Sequence, residues 1–170
     1  MKYANISNVP LSLAVFLASD NYDYSDNPHE ISATSLIKPL RQLVLSNRVN
    51  VEDAAQDLIT MVQSRMGSAI HDAIERAWTE NHVEALSLLG YPPKVIERIR
   101  INPDPKHVTP DIIPVYLEQR AKKQVGKYTI SGKFDFVGDG RVEDFKSTST
   151  YTAINNTNDA KYILQGSIYR

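Results

Sequence analysis

With 170 residues, 42% of them hydrophobic, the chain is long enough for one globular domain with a real core and too short for two large ones. Lysine and arginine number 19 against 20 acidic residues, a formal net charge of -1, which excludes a general attraction to phosphate backbones and leaves only local nucleic-acid contacts. The absence of cysteine excludes disulfides, thiolate zinc sites and cysteine-ligated iron–sulfur clusters within the chain, so any metal would take oxygen and imidazole ligands.

The apolar run Leu11 to Ala18 has neither a basic leader nor a small-residue cleavage pattern, and it is far shorter than a membrane span. A soluble, cytoplasmic protein without a membrane partner is the expectation. The polar, tyrosine-containing stretch Ser19 to Glu30 reads as a loop or arm. Ser32 to Leu45 reads as a short helix with Ser and Thr caps, its regular part limited by Pro39. From Val51 to about Leu89, apolar residues recur every three or four positions, which predicts a long helix or, if Gly67 breaks it, two. Residues 91–111 are dense in proline and predict a short helix followed by an irregular connection. Beyond them, β-branched and aromatic residues with turn signals near Gly126 and Asp139-Gly140 predict three consecutive antiparallel strands, and the end of the chain returns to helix. The order helix, three strands, helix defines an α/β or α+β domain with a mixed sheet.

The stretch FDFVGDGRVEDFK, Phe134 to Lys146, carries the densest chemistry. A two-residue type I′ turn at Asp139-Gly140 sets Asp135 opposite Asp144 and Lys133 opposite Lys146, all on one face, with Phe134, Phe136 and Phe145 on the other. Two carboxylates with β-carbons roughly 5 Å apart repel each other unless something positive lies between them. Either a divalent cation does this, with magnesium suited to an Asp pair that leaves coordination positions free, or Lys133 and Lys146 neutralise the pair in a surface charge lattice. On the preceding helix His71 and Glu75 share a face, with Gly67 one turn earlier, where a glycine would let the helix approach the sheet closely. Gln165 and Tyr169 have the same four-residue spacing near the end of the chain.

The order of these features, GxxxHxxxE on a helix, an Asp in one strand, Asp-x-Lys in the next and QxxxY on a helix, resembles the PD-(D/E)XK nuclease superfamily and its RecB-like branch, which includes phage-type exonucleases. The resemblance covers roughly Ser64 to Arg170. It implies a restriction-endonuclease-like core, with a central mixed sheet flanked by helices, over residues 51–170, preceded by a 1–50 arm and short helix that contacts DNA. By position it implies that His71, Asp135, Asp144 and the backbone carbonyl of Phe145 bind one or two Mg2+ or Mn2+ ions, that Lys146 is the motif lysine, and that Glu75 and Glu118 are accessory acidic groups. Asp144 stands where the family commonly has glutamate, while its neighbour Glu143 is expected to point to the opposite face. Gln165 and Tyr169 would act near the substrate or hold the lysine and metal shell. Lys38 and Arg41, with the QRAKKQ cluster, are candidate DNA-backbone contacts.

The implied activity is metal-dependent hydrolysis of DNA phosphodiester bonds, more an exonuclease of phage or bacterial recombination, replication and repair than a site-specific endonuclease. Its setting would be the cytoplasm of a bacterial or phage-infected cell. Two alternatives stand beside it: a non-catalytic DNA-binding or assembly module of the same fold, and an α+β interaction domain in which the hairpin charges form only a salt lattice. The family places a further strand after the QxxxY helix, whereas here Arg170 directly follows Tyr169. A truncated core is therefore expected, its sheet completed by a further C-terminal segment or a protein partner, and a homo-oligomer is a separate expectation.

Overall fold

The computed structural model describes residues 2–20, 25, 27–46, 48 and 55–169. The central sheet has strand order β2-β6-β5-β4, formed by β2 (Glu30–Ser32), β4 (Ile99–Ile101), β5 (Ile113–Val125) and β6 (Tyr128–Gly138), with β7 (Arg141–Glu143) paired to β6. β5, β6 and β7 run antiparallel in succession, as the turn signals predict. β2 joins β6 and β4 joins β5 in parallel, so the sheet is mixed. A second, two-stranded sheet pairs β1 (Lys2–Ala4) with β3 (Ala55–Asp57) in parallel. No described helix is long and apolar enough to cross a membrane.

Three sequence expectations are revised. The predicted long helix starts later: residues 51–54 lie outside the described residues, 55–57 form β3, and a 3-10 turn at Leu58–Met61 leads into α4 (Val62–Leu88). The cause is tertiary, since the N-terminal strand β1 offers β3 a parallel partner and Ser7 Oγ donates to Asp57 at 2.7 Å. Gly67 does not break α4, which runs unbroken for 27 residues. In the proline-rich connection, α5 (Pro93–Ile96) is the predicted short helix, but β4 follows it where irregular chain was expected. Three residues are too few for a period-2 signal, and pairing with the start of β5 makes the strand.

The described residues among the first fifty do not all form an arm. The apolar run Leu11 to Ala18 folds as α1, which buries Ala14 and Leu17 with Val9 and Leu58 in a small core. Residues 21–24 and 26 of the stretch read as a loop lie outside the described residues, while its last residue, Glu30, starts β2 in the central sheet. Ser32 then caps α2 (Ala33–Leu36) by accepting from Ser35 N, and Pro39 separates it from α3 (Leu40–Ser46). Arg65 on α4 pins α1 in place, with Nε 3.1 Å from the Leu17 carbonyl and a guanidinium nitrogen 3.2 Å from Asp20.

The main core lies between the C-terminal half of α4 and the sheet. Leu86, Ile96, Ile99, Val115, Leu117 and Phe136 are buried there, with Trp78 and Phe145 packed on them. Trp78 meets Phe136 with ring centroids 5.0 Å apart. This packing fixes the register between α4 and the β5–β6 hairpin, and therefore the position of every polar group one or two helical turns earlier.

Candidate metal centre and its cavity

The β6–β7 turn forms as predicted. Asp139 and Gly140 both have positive φ, 50° and 71°, the signature of a type I′ turn, and the ladder pairs Phe136 with Glu143, Val137 with Val142 and Gly138 with Arg141. Pairing stops at Glu143, so Asp144 and Lys146 lie beyond the strand on an irregular segment that leads to α6 (Thr150–Asn155). Asp135 reaches that segment through its side chain, its Oδ2 accepting from Phe145 N at 2.6 Å.

α4 supplies the imidazole. His71 Nε2 lies 2.9 Å from the Phe145 carbonyl, and Nδ1 lies 3.2 Å from Glu118 Oε1 and 3.4 Å from Asp135 Oδ1. One donor atom from each of His71, Glu118 and Asp135 falls within 4.8 Å of the others. The segment comes close to α4 at Gly67, where a Cβ would lie 3.0 Å from Ser147 Oγ. The contact is with the segment after β7, not with the sheet that the sequence reading expected Gly67 to approach.

Glu118 takes its place through a strained backbone. It has φ of 51° in the middle of β5, although the pairs on either side, Leu117 with Phe136 and Gln119 with Phe134, keep one register and set Glu118 across from Asp135. A non-glycine residue held there costs on the order of 1–3 kcal/mol and persists only where its surroundings overdetermine it. Asn102 supplies part of that constraint: its Oδ1 accepts from Leu117 N at 2.8 Å and its own N donates to the Val115 carbonyl at 2.7 Å.

Two carboxylate–lysine pairs complete the charged set. Lys133 Nζ is 2.6 Å from Glu118 Oε2, and Lys146 Nζ is 2.6 Å from Asp144 Oδ2. α7 (Asp159–Ile168) braces both: buried Gln165 donates from Nε2 to Asp144 Oδ1 at 3.2 Å and to the Tyr169 hydroxyl at 3.0 Å, and that hydroxyl donates to the Lys133 carbonyl at 3.1 Å. Burial pushes the Tyr169 phenol above its ordinary pKa, which keeps it a donor. Burial likewise raises Asp135, reinforced by the Asp144 charge and opposed by the Phe145 N–H, His71 and Lys146. A buried carboxylate repelled by a second one is the electrostatic condition that a bound cation relieves.

These groups face one cavity of about 660 Å3, whose walls extend past the charged set to Ser32, Thr34, Ser64, Arg65 and Arg120. One imidazole and two carboxylates form a nitrogen-and-oxygen donor set of the kind that oxygen-preferring divalent cations take. Of the residues singled out from sequence, His71, Glu118, Asp135, Asp144, Phe145, Lys146, Gln165 and Tyr169 all line this cavity. Asp144 is turned to Lys146 and Gln165 and stands outside the His71, Glu118, Asp135 group. Glu75 does not line the cavity, and Glu143 is exposed on β7. Lys38 and Arg41 are exposed around the α2–α3 connection, away from it. In the QRAKKQ cluster, Lys122 is engaged by Glu30 at 3.0 Å.

Gly132 was not singled out from sequence. A Cβ there would fall 2.3 Å from Tyr169 Cε1, so the ring packs directly on the strand backbone. A glycine inside a strand pattern, as in ISGKFDF, is the signal for such an approach. No protein-family model, curated protein or solved structure matches the chain.

Proposed function

We propose that this protein is a Mg2+- or Mn2+-dependent nuclease acting on DNA, with a restriction-endonuclease-like core of the PD-(D/E)XK type. The observation that carries the reading is the convergence of His71 from α4, Glu118 from β5 and Asp135 from β6, with Asp144 and Lys146 on the same cavity wall. His71, Glu118 and Asp135 would hold the first cation, while the Phe145 carbonyl lies at the other imidazole nitrogen, and Asp144 is the carboxylate that would share the cation or hold a second. Such a cation supplies Lewis-acid charge at a phosphodiester and acidity to bound water. Lys146 offers its ammonium beside Asp144, where it orients a water or offsets charge gathering on the phosphoryl oxygens. Gln165 fixes Asp144, and Tyr169 fixes the strand carrying Lys133 and Asp135, so both act as positioning residues.

The two carboxylate–lysine pairs also suit a second reading, a non-catalytic DNA-binding or assembly module whose charges neutralise one another. Incubation of the protein with linear and circular, single- and double-stranded DNA in Mn2+ or EDTA separates the readings. Metal-dependent degradation lost in Asp135→Ala and Lys146→Ala is the expected result. Degradation that survives both substitutions removes the assigned site, and absence of any hydrolysis with retained DNA binding favours the module.

A further inference from the structure

Lys133 lies outside the motif that suggests the activity, yet it is built into the centre as firmly as Lys146. Its main chain is fixed by Tyr169, whose hydroxyl donates to the Lys133 carbonyl at 3.1 Å while the ring occupies the space a Cβ at Gly132 would need. Its ammonium lies 2.6 Å from Glu118 Oε2, with the side chain 37% exposed toward the cavity. The other oxygen of the same carboxylate is 3.2 Å from His71 Nδ1. Glu118 is thus shared between a candidate cation ligand and a lysine, and it has positive φ, a backbone conformation that costs energy. A divalent cation on the oxygen that faces His71 would set two positive charges close to the ammonium on the other oxygen, and their repulsion weakens the attraction between Glu118 and Lys133.

We propose that Lys133 is a cation-gated phosphate-binding lysine: Glu118 tethers it until a divalent cation engages Glu118, and the freed ammonium then contacts a phosphate of the bound strand in the same cavity as Lys146. This rests on the nuclease reading for its substrate, but the gating itself is a property of the three side chains. It gives the centre two lysines with different duties, Lys146 beside the reacting phosphate and Lys133 on the strand that must be held there. It also makes tight DNA binding depend on the cation being present first.

The test reads Lys133 directly. Amine-reactive labelling followed by peptide mass spectrometry should show Lys133 labelled several-fold faster in Mn2+ than in EDTA, and equally fast in both for Glu118→Gln. Binding of a hydrolysis-resistant phosphorothioate oligonucleotide in Mn2+ should weaken by roughly tenfold in Lys133→Met, with the dependence of log affinity on log salt shallower by about one, and recover in Lys133→Arg. Unchanged labelling on adding Mn2+, or equal affinity and salt slope for Lys133→Met in Mn2+, overturns the proposal even if the protein hydrolyses DNA. Cation-dependent labelling with loss of oligonucleotide binding in Lys133→Met upholds it even if no hydrolysis is found, in which case the nuclease reading alone falls. Should Glu118→Gln fail to fold, the EDTA and Mn2+ arms on the unaltered protein and on Lys133→Met still decide.

Discussion

The candidate centre has two halves held in place by different means. Glu118, Lys133 and Asp135 stand on β5 and β6, whose ladder pairs residues from Tyr116 with Val137 out to Val125 with Tyr128. Asp144, Phe145 and Lys146 stand on a segment beyond the last ladder pair, kept in position by Asp135 on the Phe145 amide, His71 near the Phe145 carbonyl and Gln165 on Asp144. The ladder half is positioned by backbone pairing and the core beneath it, and it can afford a strained residue. The segment half is positioned by side chains of the other half and of α4 and α7, so its geometry depends on their charge state and on what they bind.

The largest effects should come from breaking each half at its chemistry. Asp135→Asn on the ladder and Lys146→Ala on the segment should each lower metal-dependent hydrolysis by about 10²–10³-fold, measured as initial rates on linear DNA in Mn2+. They should part in binding: Asp135→Asn should lose the Mn2+-induced rise in melting temperature, and Lys146→Ala should keep it. Equal loss of that rise in both variants would mean the halves do not differ as described. Leu117→Ala removes a fully buried side chain under the ladder and should cost about 2–5 kcal/mol in urea unfolding, carrying both halves with it.

Gly132→Ala probes the brace between them. Its methyl group must displace the Tyr169 ring, at a cost of about 1–3 kcal/mol, and combining it with Tyr169→Ala should recover part of that cost in the same assay. No recovery in the double variant would show that the clash lies elsewhere.

Charge sharpens the contrast with smaller effects. Because burial raises the Asp135 pKa, its ionisation opposes folding, and stability falls as pH rises from the ordinary aspartate value through the raised one. In EDTA at pH 7, Asp135→Asn should therefore be the more stable protein, with a higher melting temperature than the unaltered chain. Glu30 in β2 gives the opposite sign: hydrogen bonds from Ser131 and Lys122 hold its carboxylate down to about 2, so it stabilises the fold above the ordinary value of 4.5 and loses that contribution as pH falls from there through about 2. Acid titration followed by circular dichroism should show Glu30→Gln less stable at pH 7, with the difference from the unaltered protein closing by pH 2.

Much of the ladder half was legible because period-2 patterning and an Asp-Gly turn fix register locally. The β6–β7 pairing, the three consecutive strands and the separation of Phe136 from Asp135 all follow from residues within a few positions of each other. The His71 and Gln165-Tyr169 positions were legible only as helical spacings, and the family resemblance supplied their roles. Sequence patterns could not place β3, because parallel pairing with a strand some fifty positions away overrode a helical period, nor β4, because three residues carry no period.

By itself, then, the sequence determined the hairpin and its turn, since these depend on alternation and on backbone preferences at single residues, but the shared face it predicted for Asp135 and Asp144 ends where pairing stops at Glu143. Only the tertiary structure decided that Glu118 adopts positive φ across from Asp135, that Asp144 pairs with Lys146 while His71 meets Glu118, and that the Gly132–Tyr169 contact braces Lys133. Those arrangements arise where α4, α7 and the segment after β7 compete for the same hydrogen-bonding groups, and the outcome of that competition depends on three-dimensional packing that no local pattern encodes.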